Sequence, residues 1–211
     1  MALRQPARVA LAALAAALAL TSCTESSGVA GGPSPDTPAV RQESAADNQD
    51  LAVMFAADQA ARTDGMPSGG IVGAMPDAER RTRTRALLDA NQITTPQDYF
   101  HAAFIFQHGD EPEDFLLAHA LAVTAVDKGH PRASWIAAAT LDRYLQSVGR
   151  PQIYGTQFQL RPAAGEVTQS DYDQQLLPDA LRVAAGVPVL EAQENQRREM
   201  QAQMAQSSTG G

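Results

Sequence analysis

The stretch from Phe115 to Val126 constrains the fold most. Ten of its twelve residues are apolar, interrupted only by His119 and Thr124. Pro112 stands just before it and Gly129 just after. Proline suits the first turn of a helix and glycine the position past its end. The segment therefore predicts a helix over 112–128, and a helix apolar nearly all round is expected to be buried. Trp135, Ile136, Ala138, Ala139, Leu141 and Leu145 predict a second helix over 131–147, closed by Gly149. So short a break makes the two antiparallel neighbours. The hairpin has the small-residue packing of Sel1-like or tetratricopeptide repeats. It occurs in one clear copy, whereas a repeat array needs about three.

Further helices are expected over 50–63, 77–91, 96–107, 173–185 and 188–202. Thr95-Pro96-Gln97-Asp98 is typical of a helix start, with an N-cap, a proline in the first turn and an acid behind it. No strand alternation of any length is visible. Nine of the eleven aromatic residues lie between Tyr99 and Phe158, so the core should centre there. The expected fold class is all-α: a compact bundle of about six to seven helices around the central hairpin.

The N-terminus predicts an address. Arg4 and Arg8 precede a short apolar run, Val9 to Leu20. Spanning a bilayer takes roughly 20 residues, so this run suits a signal peptide over 1–22 instead. Leu20-Thr21-Ser22-Cys23 resembles a bacterial lipobox, in which the cysteine is acylated and becomes the new N-terminus. Thr24 rather than an aspartate follows, so the outer membrane, facing the periplasm, is expected if the source is Gram-negative. Residues 23–49 read as the lipidated Cys23 plus a flexible Gly-, Pro- and Ser-rich tether. One helical domain is expected over 50–200 and a disordered tail over 201–211.

The chain carries a net charge of −8, and losing Arg4 and Arg8 with the signal makes it −10. Acidity argues against nucleic acid as a partner. It also leaves membrane attachment to the acyl chains rather than to charge. A single cysteine excludes an internal disulfide framework and a cysteine zinc module.

Several polar residues could carry chemistry. Asp58 and Arg62 are four apart on the apolar stripe of the first helix and can pair. They are read either as a half-buried ion pair or as the wall of a pocket. Arg80, Arg81, Arg83 and Arg85 could grip an anion, although a solvated basic face explains the run more cheaply. His101 and His108 lie seven apart, about 10 Å along a helix axis, too far to chelate one metal. His108 follows Gln107 at a helix end, where it could serve as a general base. His119 reads as a core histidine held by one hydrogen bond. Asp142 and Arg143 are neighbours on one helix and point about 100° apart, so each needs its own partner. Pro151-Gln152-Ile153-Tyr154-Gly155-Thr156-Gln157-Phe158 reads either as a loop lining a polar ligand site or as a strap that satisfies helix ends. No Gly-x-Ser-x-Gly elbow, His-Glu-x-x-His or P-loop is present. No metal or other cofactor is expected.

Taken together, Phe106-Gln107-His108-Gly109, Thr140-Leu141-Asp142-Arg143-Tyr144-Leu145 and Pro151 to Phe158 resemble a bacterial family classified only as a domain of unknown function. Tyr99 to Ile105, Leu117-Ala118-His119, Asp58-Gln59, Arg62, Arg80-Arg81, Asp179 to Arg182 and Gly186-Val187-Pro188 extend the resemblance over roughly 50–195. Between Arg62 and Asp77, where that family carries a tryptophan-containing segment, this chain has Gly65-Met66-Pro67. The resemblance implies no reaction, substrate or cofactor.

The residues favour a helical binding or scaffold module for a peptide, glycan or envelope protein, since no nucleophile or metal set is evident. The alternative is a hydrolase. In it His108 is the base, Asp58 or Asp142 orients it, and Arg62, Gln107, Arg143, Gln152, Tyr154 and Gln157 hold a small polar ligand. An enzyme requires these side chains to converge. A scaffold lets them scatter into caps and ion pairs and leaves an apolar groove open.

Overall fold

A computed structural model describes residues 45–63, 75–161 and 165–209. The expected signal peptide, Cys23 and most of the tether lie outside the described residues. The described part is all-α apart from one small hairpin. Its elements are α1 (Gln49–Thr63), α2 (Asp77–Asp89), α3 (Pro96–Phe106), α4 (Pro112–Asp127), α5 (Ala133–Ser147), β1 (Gln159–Arg161), β2 (Glu166–Thr168), α6 (Asp179–Ala184) and α7 (Leu190–Thr209).

Local chemistry sets the helix ends. The Thr95 hydroxyl accepts the Asp98 N–H at 3.0 Å, and the Asp98 carboxylate accepts the Thr95 N–H at 3.1 Å. With Pro96 in the first turn this capping box starts α3. Gly129 and Gly149 take φ of +85° and +70°, the left-handed geometry that closes α4 and α5. The core joins Leu51 and Met54 of α1 to Phe100, Ile105 and Phe106 of α3, Ala118, Leu121, Ala122 and Ala125 of α4, and Ile136 of α5. Alanines let α4 and α5 pack closely as the central hairpin.

Five features differ from the sequence expectation. First, the end of the expected tether belongs to the fold. The Asn48 side chain accepts the Leu51 N–H at 3.0 Å and so caps α1, while the Asn48 N–H donates to Asp98 at 2.8 Å. Second, α4 is not buried all round: Leu116, Val123 and Val126 keep at least 40% of their surface exposed. Third, the helix expected over 173–185 is only α6, because the Asp173 side chain accepts the Gln175 and Leu176 N–H groups in a local turn. Fourth, β1 and β2 pair antiparallel with Leu160 opposite Val167. Fifth, α7 continues through the expected tail to Thr209, and its Gln201 side chain accepts the Val167 N–H at 2.7 Å.

Two histidines sit in the aromatic core. His101 stacks on Phe55 at 4.1 Å and His130 on Phe100 at 4.0 Å between centroids. The Gln97 amide lies between them: its NH2 donates to His101 Nε2 at 2.6 Å and its oxygen accepts from His130 Nε2 at 3.2 Å. His130 Nδ1 in turn accepts the Arg132 N–H at 3.3 Å. This pattern requires both rings to be neutral. Burial pushes both pKa values below the ordinary histidine value, against Asp98 for His101 and reinforced by Arg132 for His130. The folded state therefore binds fewer protons than the unfolded state below about pH 6.5. Stability should fall as pH drops from about 7 through that value, and level off below the depressed folded values. Urea midpoints across this range, compared with a His101→Gln/His130→Gln variant, check it: the double variant should show a flatter profile.

Candidate functional site

The polar residues singled out above divide into two groups. The first lies where α1, α2 and the end of α3 meet. Asp58 is 1% exposed, and its carboxylate lies 3.0 Å from His108 Nδ1 and 3.2 Å from the Arg62 guanidinium. Arg80 Nε approaches the same carboxylate at 3.6 Å. Asp77 opens α2 and binds Arg62 at 2.8 Å and also Arg80. The expected pairing of Asp58 with Arg62 is present. Arg80, by contrast, is not part of a solvated face: it is 2% exposed. Arg81 also turns inward, donating to the His108 carbonyl at 2.7 Å and pairing with Asp110 at 2.5 Å. Arg83 and Arg85 keep the expected solvated face: Arg83 pairs with Glu79 at 2.7 Å, and exposed Arg85 lies over the Phe106 ring at 5.6 Å.

Electrostatics in this group follow from burial. Desolvation pushes the His108 pKa down, the Asp58 hydrogen bond and charge push it back up, and burial prevails. His108 is therefore neutral near pH 7, with Nδ1–H donated to Asp58 and its lone pair on Nε2. Burial raises the Asp77 carboxyl, but the Arg62 hydrogen bond and the neighbouring positive charges outweigh it and hold the pKa below the usual range. Arg143 is held below the ordinary arginine value by burial first and by the like charge of Arg62 second. Gln107 is buried at the end of α3, where its N–H donates to the Ala103 carbonyl at 2.9 Å.

The second group joins α5 to the segment that follows it. Asp142 is fully buried, and its two carboxylate oxygens accept the N–H groups of Ile153, Tyr154 and Thr156 at 2.8, 3.0 and 3.0 Å and the Thr156 hydroxyl at 2.8 Å. Gln152, also fully buried, donates to the carbonyls of Gln157 and Gln169 and accepts the Gln157 N–H at 3.0 Å. Gln157 reaches the Ala139 carbonyl at 3.3 Å. The Pro151–Phe158 segment is thus a strap that uses its amides to satisfy backbone, one of the two readings open from sequence.

Residues given no site role from sequence lock the strap. Gln169 donates to the Gly155 carbonyl at 2.6 Å and to Gln193 at 3.1 Å, and Gln193 donates to the Tyr154 carbonyl at 2.9 Å. Gly155 has φ of +79°, and a Cβ there would stand 2.2 Å from Gln193 Oε1. Buried Arg182 donates to the Tyr172 hydroxyl at 3.0 Å, which donates to the Tyr154 carbonyl at 3.1 Å. No local pattern marks these partners, which meet only through tertiary folding.

Two of the open clefts adjoin each other. One, of about 530 Å³, is walled by Phe104, Arg132, Trp135 and Val183. The other, of about 360 Å³, is walled by His119, Val123, Val126, Tyr154 and Leu181. They adjoin at Ser134 and Ala184, which line both. His119 makes the one expected hydrogen bond, to the Ala137 carbonyl at 2.9 Å, but it is half-buried at the cleft wall rather than in the core. Among the described residues no group of three His, Cys, Asp or Glu side chains is placed to hold a metal ion, and no helix is long and apolar enough to cross a membrane.

No family model, curated protein or solved structure matches the chain.

Proposed function

We propose that this chain is a helical binding module of the bacterial cell envelope, attached through a lipid on Cys23, that receives an apolar segment of a partner protein along its adjoining clefts. One observation carries the reading. Val123, Val126, Trp135, Leu181 and Val183 are 40–60% exposed around those two clefts. Apolar side chains gathered on one face mark an interaction surface more often than scattered ones do. The full burial of Asp142 and Gln152 supports the same reading, because it takes those two residues out of any catalytic set.

Trp135 is the only tryptophan in the chain, so its fluorescence reports occupancy of the cleft. The test selects apolar peptides from a displayed library against the full chain and titrates them by Trp135 emission. Leu181→Glu and Val183→Glu should each weaken binding at least about tenfold, a cost of roughly 1.4 kcal/mol, with little change in melting temperature. Equal binding by these variants, or no peptide that shifts the emission, rejects the proposal.

The second reading, a hydrolase, draws on the His108–Asp58 pair, since a histidine held at Nδ1 by a carboxylate has the arrangement of an oriented general base. The two readings differ for His108→Ala. A binding module should lose about 1–3 kcal/mol of stability, from one charge-assisted hydrogen bond, and keep its peptide affinity. A hydrolase should lose turnover on an ester and peptide panel while remaining folded.

A further inference from the structure

We propose that the hydrogen-bonded row His101–Gln97–His130 is a proton-operated control on the cleft walled by Arg132 and Trp135: proton uptake by either ring frees the α4–α5 turn that forms one cleft wall, and an apolar partner is released. The proposal rests on the peptide-binding role given to that cleft.

The first observation is position. Pro131, Arg132, Ser134 and Trp135 wall the cleft and follow His130 closely in the chain. Phe100 also lines it, and the His130 ring stacks on Phe100 at 4.0 Å. His130 is itself buried, so it acts on the wall from behind. The turn hangs on this residue. Its N–H donates to the Ala125 carbonyl at 2.9 Å, its carbonyl accepts the Ala133 N–H at 3.3 Å, and its ring Nδ1 accepts the Arg132 N–H at 3.3 Å. Arg132 is the N-cap of α5 and its own side chain makes no capping bond. The His130 ring therefore supplies the side-chain hold at the start of α5.

The second is a limit set by one amide. The Gln97 NH2 serves His101 Nε2 and its oxygen serves His130 Nε2. An imidazolium has two N–H groups and no acceptor. A proton on His130 occupies Nδ1 and expels the Arg132 N–H. A proton on His101 occupies Nε2 and faces the Gln97 NH2. Turning the amide answers His101 but sets its NH2 against the N–H of His130, and moving that hydrogen to Nδ1 again expels the Arg132 N–H. Either way the turn loses a hold. His101 Nδ1 is buried without a hydrogen-bond partner among the described residues, so no bond on its far side pins the ring against the change.

The third is the charge around the row. Asp98 on α3 and Asp47 before α1 favour a proton on His101, whereas Arg132 opposes one on either ring. Lys128, just past α4, lies over Tyr99 at 5.5 Å. The Arg132 guanidinium lies over Phe100 at 5.2 Å, the ring on which His130 stacks. A charge on His130 therefore repels a residue of the cleft wall itself.

The test follows the histidine ring and Trp135 indole signals of the full chain by NMR from about pH 7.5 to about pH 5. The indole signal should move with the midpoints of His101 and His130, not with that of His119, which lines the adjoining cleft. In His101→Gln/His130→Gln it should stay in place. A peptide selected at the higher pH by Trp135 emission should bind about fivefold or more weakly at the lower one, and equally at both in the double variant. By reciprocity the bound peptide should lower both histidine midpoints. An indole signal that ignores the two midpoints, or a wild-type affinity that does not change with pH, overturns the proposal. Failure to find any peptide overturns the binding role of the cleft instead, and the indole titration, which needs no ligand, still decides whether the row moves the wall. The wild-type midpoints decide the matter even if the double variant fails to fold.

Discussion

Replacing Asp142 with alanine should destabilise the protein by about 3–6 kcal/mol. The side chain is fully buried and accepts three backbone N–H groups of the strap as well as the Thr156 hydroxyl. Truncation leaves three buried donors without acceptors, each costing about 1–3 kcal/mol. Against a typical total stability of about 5–15 kcal/mol, that loss brings the fold close to its limit. Asp142→Asn should fall between wild type and alanine. Its amide oxygen can still serve one pair of donors, but its NH2 then faces the donors of Thr156. Urea midpoints give the magnitude, and the NMR titration of His108 gives the role. If Asp142 only anchors the strap, the Asn variant shifts the midpoint and leaves the His108 titration in place. A shift in that titration with an unchanged midpoint would restore Asp142 as the orienter of a catalytic base.

Asp58→Ala is the second large effect expected, about 3–5 kcal/mol. The carboxylate stands between His108, Arg62 and Arg80. Removing one partner from a buried ionic cluster leaves the others uncompensated, and that accounts for a cost of this size. The same change removes the hydrogen bond and charge that raise the His108 pKa. His108 should therefore titrate lower than in wild type, where burial already depresses it. Chemical denaturation measures the first effect and histidine ring NMR under folding conditions the second. A variant that unfolds within about 1 kcal/mol of wild type would show that the cluster tolerates the loss, as an exposed ion pair does.

The two positions also show how far the sequence could be read. Helix boundaries were legible because their causes are local: Pro96 and Pro112 in first turns, Gly129 and Gly149 just past helix ends. The Asp58–Arg62 pair was legible for the same reason, being set by helical spacing. That Asp58 also meets Arg80 and His108 was not, because those contacts depend on how α1, α2 and α3 pack. Arg80 misled because a run of arginines is usually solvated, and nothing in the run says which member turns inward. The β1–β2 hairpin escaped because strands of three residues are too short to show alternation. Arg143 was recognised as needing a partner of its own, and its buried Nε finds no hydrogen-bond acceptor among the described residues.

The strap also bears on the order of assembly. Helices α3, α4 and α5 follow one another closely and pack against their immediate neighbours. The strap comes next in sequence, yet it is fastened by Gln169, Tyr172, Arg182 and Gln193. A chain emerging N-terminus first can therefore build its bundle early, but it must hold the Asp142 carboxylate and the Gly155 turn open until nearly all its length is available. The N-terminal helices form the frame, and the C-terminal third is the latch that closes last.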